Sequence, residues 1–411
     1  FAPFLRGMSQ EIVPRHVLEK SWKDGAFNST WGVNTPPGKM VGSGPFILVE
    51  YRPAERVVLE RNPRYWRKDA VGKVLPYLDR VIHVIVQDTN VALLKFRSGE
   101  VDLYGMRGVD VQVLAPTRVQ ENFTIYDAGP SLGSSFLVFN ENPGKDEKGR
   151  PFVEPRKLKW FRNVLFRRAC SHAIDRNAII ETLMNGWGYP QYGPMTVSEG
   201  FFYNVDTPKY EYDPAKAKEL LQSLGLVDYN GDGILEDPRG KNVEFNLFTN
   251  AENDVRIRIT NSIRKDLENV GIRVNFLPLE FNALVTKLGS PPYDWEAILL
   301  GLTGGPEPHF GQNVWHSSGQ LHEWYPQQES PDTPEEAEID RIFAAAVQEL
   351  DPAKRKALYD RWQVIAAEQQ WMIYTVSPAS LTAVRNKFGN LDPRPIGGML
   401  HNLDELYILQ R

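Results

Sequence analysis

Residues 41–102 constrain the fold more than any other stretch: VGSGPFILVEYRPAERVVLERNPRYWRKDAVGKVLPYLDRVIHVIVQDTNVALLKFRSGEVD. A glycine-rich turn, Gly42 to Pro45, opens a strand of alternating apolar residues. The polar turn Arg52-Pro53-Ala54-Glu55 leads into a second strand over residues 56–60. Asn62-Pro63 breaks the chain, and Tyr65 and Trp66 supply bulk after the break. A third strand over 80–86 precedes a short helix over 90–97. Gly99 is placed to end that helix, because glycine enters the left-handed conformation at little steric cost.

The rest of the chain alternates strands and helices. The pattern gives a strand at 136–140, then a helix pair within 161–186 with Asp175 as N-cap of the second and Gly186 as its stop. Asp213 and Pro214 open a further helix as N-cap and first helical residue. Strand 243–249, helix 254–270 ended by Gly271, strand 273–277, helix 281–288 and strand 293–300 follow in turn. Residues 301–330 lack periodicity and are rich in Gly, Pro, His and Trp, which reads as a long functional loop. Two amphipathic helices, 335–349 and 351–370, precede strands at 373–376 and 379–384. This order predicts an α/β protein with mixed sheets covered by helices.

Composition narrows the function. With 47 basic against 52 acidic residues, no basic surplus favours nucleic acid or an anionic membrane surface. The single cysteine, Cys170, forbids an internal disulfide framework, and no apolar run approaches the ~20 residues of a membrane-spanning helix. Gly42-Ser43-Gly44 has neither the spacing of a nucleophile elbow nor the lysine of a P-loop, so it reads as a tight turn. His309, His316 and His322 are too irregularly spaced for a helical zinc pair. Cys170 and His172 read as packing residues. Asp228, Asn230 and Asp232, followed by Gly233, match the first half of a calcium loop, with Asp237 two residues early as the last acid. A structural calcium there is the one cofactor the residues suggest.

The turn Gly42 to Pro45, the VVLERNPRYW strand end and the SGEVD helix end resemble, in order and spacing, the solute-binding proteins of ABC importers. The class is that of the dipeptide- and oligopeptide-binding proteins, extracellular solute-binding protein family 5. Glu11-Ile12-Val13-Pro14-Arg15-His16 is similar to the I-x-P-K-H step of that class, and FRNVLFRRACSHAIDRNAII to its vRqAlsyAIDR helix pair. The resemblance implies a large class II periplasmic-binding-protein-like fold of two lobes joined by hinge strands. It divides the chain into a first lobe at 1–135, lacking an N-terminal portion of the family pattern, a second lobe at 136–382, and a return to the first lobe at 383–411. The hinge then falls at Phe139 and Asn140 and near Ser377 and Ser380. It further implies a receptor without catalysis that captures a small molecule by hinge closure. Its partners would be the permease subunits of the transporter and the missing N-terminal portion. Its location would be periplasmic or otherwise extracytoplasmic, with or without a lipid anchor.

In peptide-binding members of the class, the segment after the strand reads GW-x-x-D-x-x-D-P, and its first aspartate holds the ligand's ammonium group. Here the segment is LGLTGGPEPH, and aligning Glu307-Pro308 with the later D-P puts Gly304 at the aspartate's place. A buried ammonium without a carboxylate is costly, so this departure weighs against peptide. Trp315, Trp324 and Trp187 offer flat faces for pyranose rings, while Thr303, Glu307, His309 and Asn313 can bond hydroxyls. The expected ligand is therefore an oligosaccharide ahead of an oligopeptide. The rival reading is a glycoside hydrolase on the same sugars, with Glu296 and Glu307 as a nominal carboxylate pair.

Overall fold

The computed structural model describes residues 13–32, 35–394 and 397–409. Glu11 and Ile12 of the N-terminal step lie outside the described residues, as do the last two residues of the return segment. The described residues divide into two compact units, one formed by Pro130–Ala379 and the other by those up to 129 together with those from 380 onward.

In the second of these, helix α1 (Arg15–Lys23) precedes the three strands read from the opening stretch. They are β1 (Phe46–Arg52), β2 (Arg56–Arg61) and β3 (Arg80–Val84), an antiparallel sheet in that order. Phe46 lies opposite Arg61 and Arg52 opposite Arg56, with a shift of register between Leu48 and Glu50. Helix α2 (Thr89–Arg97) is capped by Asp88, which accepts from the N–H groups of Asn90 and Val91 at 2.8 and 2.9 Å. Gly99 has φ +81°, the left-handed stop expected of it. Strands β4 (Leu103–Met106) and β5 (Phe123–Pro130) flank a later strand described below.

The Pro130–Ala379 unit is built on β6 (Gly133–Phe139), whose last four residues are all buried. Such a strand alternates apolar side chains to two covered faces. Helices α3 (Pro155–Phe161), α4 (Val164–Ala173) and α5 (Arg176–Leu183) follow, then β7 (Gly188–Pro190) and α6 (Pro214–Ser223). Asp175 accepts from Ala178 N–H and Asp213 from Lys216 N–H, both at 2.8 Å, as the sequence predicts for their caps. Strand β8 (Glu244–Asn250), helix α7 (Asp254–Glu268), β9 (Arg273–Leu279), helix α8 (Phe281–Gly289) and β10 (Ala297–Thr303) complete the alternation. Helices α9 (Pro334–Ala346) and α10 (Pro352–Gln369) lead to β11 (Met372–Tyr374) and β12 (Val376–Arg385). Two short strands, β13 (Phe388–Gly389) and β14 (Tyr407–Ile408), pair near the end.

The five-stranded sheet has the order β11-β6-β10-β8-β9. β8 runs parallel to β9 and β10, while β6 runs antiparallel to β10 and β11. Leu137 and Phe139 of β6 pack with α3, α4, α5, α6 and α7 on one face. Phe136 and Val138 pack with α8, α9 and α10 on the other. Strand β12 pairs first with β7 and then, from Leu381, with β4, so it carries the chain out of this unit.

Three boundaries differ from those expected. The unit begins at Pro130, not 136, because Ser131 N–H already bonds the Pro378 carbonyl at 2.9 Å and β6 starts at Gly133. It ends at Ala379, not 382. The strand expected over 293–300 lies at Ala297–Thr303, because Tyr293 takes a left-handed turn and the Tyr293 and Trp295 carbonyls accept from the Asn140 side chain.

Candidate functional site

Crossovers from β8 and β10 leave in opposite directions. β8 continues through α7 on one face of the sheet, and β10 leads to α9 and α10 on the other. In open α/β sheets such a switch point leaves a crevice outside the carboxyl ends of the two strands. At those ends lie Asn250, which is buried, and the exposed pair Thr303 and Gly304. Arg256, from the first turn of α7, donates to Asn250 Oδ1 at 2.6 Å. Burial of this guanidinium lowers its pKa.

Two glycines keep the strand end slim. A Cβ on Gly301 would meet Ser134 O at 2.7 Å and Arg256 Nη2 at 3.0 Å. A Cβ on Gly304 would meet Leu132 O at 2.6 Å, because Gly304 N–H donates to that same carbonyl at 2.9 Å. We therefore expect Gly304→Ala to lower stability by roughly 1–3 kcal/mol, the range for overpacking against fixed backbone. A urea titration measures it, and a variant as stable as the parent would refute the close approach.

Beside Gly304 lies Glu199, 5% exposed. Its Oε2 accepts from Thr196 N–H at 2.7 Å and Thr196 Oγ1 at 2.5 Å, a capping box on a short 3-10 segment. Its Oε1 lies 3.4 Å from the position a Gly304 Cβ would take. Nearby, Thr196, Gln191, Tyr192, Tyr203, Gln363 and Ser377 line part of a cavity of about 140 Å³. The sequence reading missed Glu199, Asn250 and Arg256. The Thr196-x-x-Glu199 spacing was the available signal for the first.

The structure brings only part of the predicted set to this place. Thr303 and Gly304 are there. Glu307 is not free for ligand: its carboxylate pairs with Arg355 through both oxygens, Oε2 to Nη1 at 2.8 Å, and both residues are buried. Arg355 also donates to Ala346 O, so the pair fastens the loop to α9 and α10. His309 packs on Phe343, and burial lowers its pKa. Asn313 is exposed but spends its Oδ1 on Gln320 N–H at 2.9 Å. Trp187 is half-buried after α5, its carbonyl accepting from Ala379 N–H.

Trp315 and Trp324 offer no face to a sugar. They are 4% and 1% exposed, and Trp324 stacks on Trp371 at 5.3 Å within the core beside α10. The cause is Glu336 at the start of α9. Its carboxylate accepts from Trp324 Nε1 at 3.0 Å, Gln328 Nε2 at 3.1 Å and the N–H groups of Asp332 and Thr333. Burial opposes the ionised form, but these bonds and the nearby His322 outweigh it and hold the pKa at about 2. The segment that looked like an open loop is folded inward by this one acid.

Phe139 and Asn140 are not at a chain crossing. Phe139 is fully buried against Phe161, and the Asn140 side chain donates to two carbonyls. Ser377 and Ser380 bracket the crossing at 379–380, with Ser377 Oγ donating to Ser131 O at 3.0 Å. In the acidic loop, Asp228, Asp232 and Glu236 bring one oxygen each within 4.8 Å of one another. Glu236 replaces the expected Asp237, whose Oδ1 accepts from the N–H groups of Arg239 and Lys241. Asn230 donates to Glu236 and accepts from Asp232 N–H. Of the nominal hydrolytic pair, Glu296 is bound to Lys157 at 2.8 Å and to Asn246 N–H at 2.7 Å. Cys170 is fully buried, and that burial pushes its thiol pKa up.

Residues 1–322 match the family model described as bacterial extracellular solute-binding proteins, family 5 Middle. A probable ABC transporter-binding protein of Deinococcus radiodurans is 32% identical over 377 residues, covering 87% of this chain and 62% of that protein. A periplasmic alpha-galactoside-binding protein of Rhizobium meliloti is 24% identical, covering 85% of this chain and 52% of its own length. The structure of the oligopeptide-binding protein AppA of Bacillus subtilis, in complex with a nonapeptide, superposes with TM-score 0.75 and 26% identity. That match covers 97% of this chain and 72% of AppA. The chain spans about six tenths of the length of curated relatives that it matches. The fold is thus that of the periplasmic binding proteins, and the chain belongs to the bacterial extracellular solute-binding proteins of family 5.

Proposed function

We propose that this chain serves as the solute receptor of an ABC importer, working outside the cytoplasm. It holds an oligopeptide or an oligosaccharide and delivers it unaltered to the permease. The observation that carries this reading is the family match over residues 1–322, joined to a strand end at Thr303 and Gly304 left open at a switch point. Hinge closure, which the resemblance implies, would turn on the two chain crossings at 129–130 and 379–380. A receptor role fits the carboxylates as well, since Glu296 and Glu307 are each committed to a basic partner.

The aromatic argument for sugar no longer stands, because Trp315 and Trp324 are interior. Both ligand classes are therefore tested. With the full chain, stachyose and a nonapeptide are each added at 100 times their Kd, and stability and product are followed together. A ligand at that level stabilises the fold by ~2.7 kcal/mol, seen as a raised urea midpoint, and no free sugar or amino acid accumulates. Release of product, or no stabilisation by any oligopeptide or oligosaccharide, would defeat the receptor reading.

A further inference from the structure

The chain as a whole has no basic surplus, but one exposed segment does. Residues 64–74, RYWRKDAVGKV, carry Arg64, Arg67, Lys68 and Lys73 against the single acid Asp69. They lie between β2 and β3 and form a hairpin. Lys68 pairs antiparallel with Val74, Leu75 N–H donates to the Arg67 carbonyl at 3.1 Å, and Asp69 N–H donates to the Lys73 carbonyl at 2.9 Å. Asp69 Oδ1 closes the turn by accepting from the N–H groups of Val71 and Lys73 at 2.9 and 2.8 Å.

Side chains alternate across such a pair, and the two faces meet different surroundings. The inner face is fastened to its unit. Leu75 is 1% exposed, Arg67 donates to Asp404 at 2.8 Å and to Glu405 at 2.5 Å, and Tyr77 donates to Asp69 at 2.5 Å. The outer face and the tip stand in solvent: Trp66 is 75% exposed, Val74 46% and Val71 89%. Arg64 and Lys68 are exposed too, and among the described residues no carboxylate pairs with either. Lys73 lies beside the tip, its Nζ 4.8 Å from the Tyr77 ring. A Cβ on Gly72 would meet nothing within 4 Å, so the turn is clear of its own unit. A firmly held hairpin thus presents a tryptophan and two valines flanked by cations. Tryptophan is favoured at the membrane–water boundary, where its ring meets the headgroups, and lysine and arginine are drawn to anionic lipid. Charge decides the class of partner, because an anionic lipid surface complements these cations together.

We propose that this hairpin docks the chain on an anionic lipid surface, with Trp66 and Val71 entering the headgroup layer. Docking of this kind requires nothing of the solute site. The full chain is floated with vesicles of phosphatidylcholine alone and of phosphatidylcholine mixed equally with phosphatidylglycerol. Retention on the anionic vesicles should exceed that on the neutral ones by roughly tenfold or more, since each basic residue near such a surface adds to the attraction. Salt at about 1 M should abolish the excess. Trp66→Ser combined with Val71→Ser should lose retention, and Arg64→Glu combined with Lys68→Glu should lose the preference for anionic lipid. All four side chains are exposed, so both variants should keep the parent's urea midpoint. The comparison of the two vesicle types on the parent chain stands even if a variant fails to fold. Equal retention on both vesicle types, retention on neither, or unchanged retention of the serine variant overturns lipid docking. So does a dimer in sedimentation that the serine variant dissolves, which would make a second copy the occupant of the tip.

Discussion

Replacing Arg176 with alanine is expected to lower the stability of the chain by roughly 5 kcal/mol, since each buried acceptor left unpaired costs about 1–3 kcal/mol. Arg176 is 2% exposed and has no carboxylate partner among the described residues. Its guanidinium is instead satisfied by hydrogen bonds to main-chain carbonyls and one hydroxyl. Nε donates to the Gln191 and Tyr374 carbonyls at 3.1 and 2.9 Å, Nη1 to the Ser171 and Tyr210 carbonyls at 3.0 and 3.2 Å, and Nη2 to Tyr374 O and Ser171 Oγ at 2.6 and 3.0 Å. Its face lies 4.8 Å from the Tyr192 ring. One side chain therefore joins the end of α4, the segment after β7, the approach to α6 and the strand β11. Burial lowers its pKa to about 10, still far above neutrality, so it stays charged in the fold. Arg176→Lys should recover little, because a point ammonium cannot reach carbonyls spread around a planar fork. Urea denaturation of the two variants provides the measurement. A loss below about 1 kcal/mol for the alanine variant would mean that water replaces the guanidinium and that the joint is dispensable.

Local features of this kind divide into those that the sequence states and those that only the fold creates. The β1 to β3 segment was legible because its strands are neighbours in sequence and the turn between the first two is short. The caps at Asp175 and Asp213 follow from a polar side chain three residues from the N–H group it satisfies. The family resemblance rests on such short-range marks. What could not be read is where segments distant in sequence meet. Placing β6 between β10 and β11 pairs residues more than 150 positions apart, such as Ala297 and Phe139. That pairing drives Phe139 into the core and removes it from the hinge. Glu336 lies 12 residues beyond Trp324, and only their contact reveals that the tryptophan is interior. Glu307 looked available because its partner, Arg355, is 48 residues away on α10. The same limit hid Glu199, whose significance arises from its position beside Gly304.

Glu323→Gln is expected to stabilise the chain, and by an amount that grows with pH. Glu323 is 4% exposed, and none of the described residues donates a hydrogen bond or an ion pair to its carboxylate. Burial alone pushes its pKa from the ordinary 4.5 up to about 8. The folded chain thus binds this proton more tightly than the unfolded chain does. Where the native state holds the extra proton, stability falls as pH rises. The loss begins near the unfolded value of 4.5, continues to about 8 and is complete above it. A tenfold change in proton affinity is worth about 1.4 kcal/mol, so the carboxylate costs on the order of 5 kcal/mol at pH 9. Glutamine has the shape of the protonated acid and does not ionise. The variant should therefore match the parent near pH 4.5 and exceed it by several kcal/mol at pH 9. Glu141 and Asp266, raised by burial to about 7 and about 6, titrate in the same window. They are present in both proteins, so the difference between urea midpoints cancels them. A gap that stays constant from pH 5 to 9 would show that the Glu323 carboxylate is solvated or paired in the folded protein.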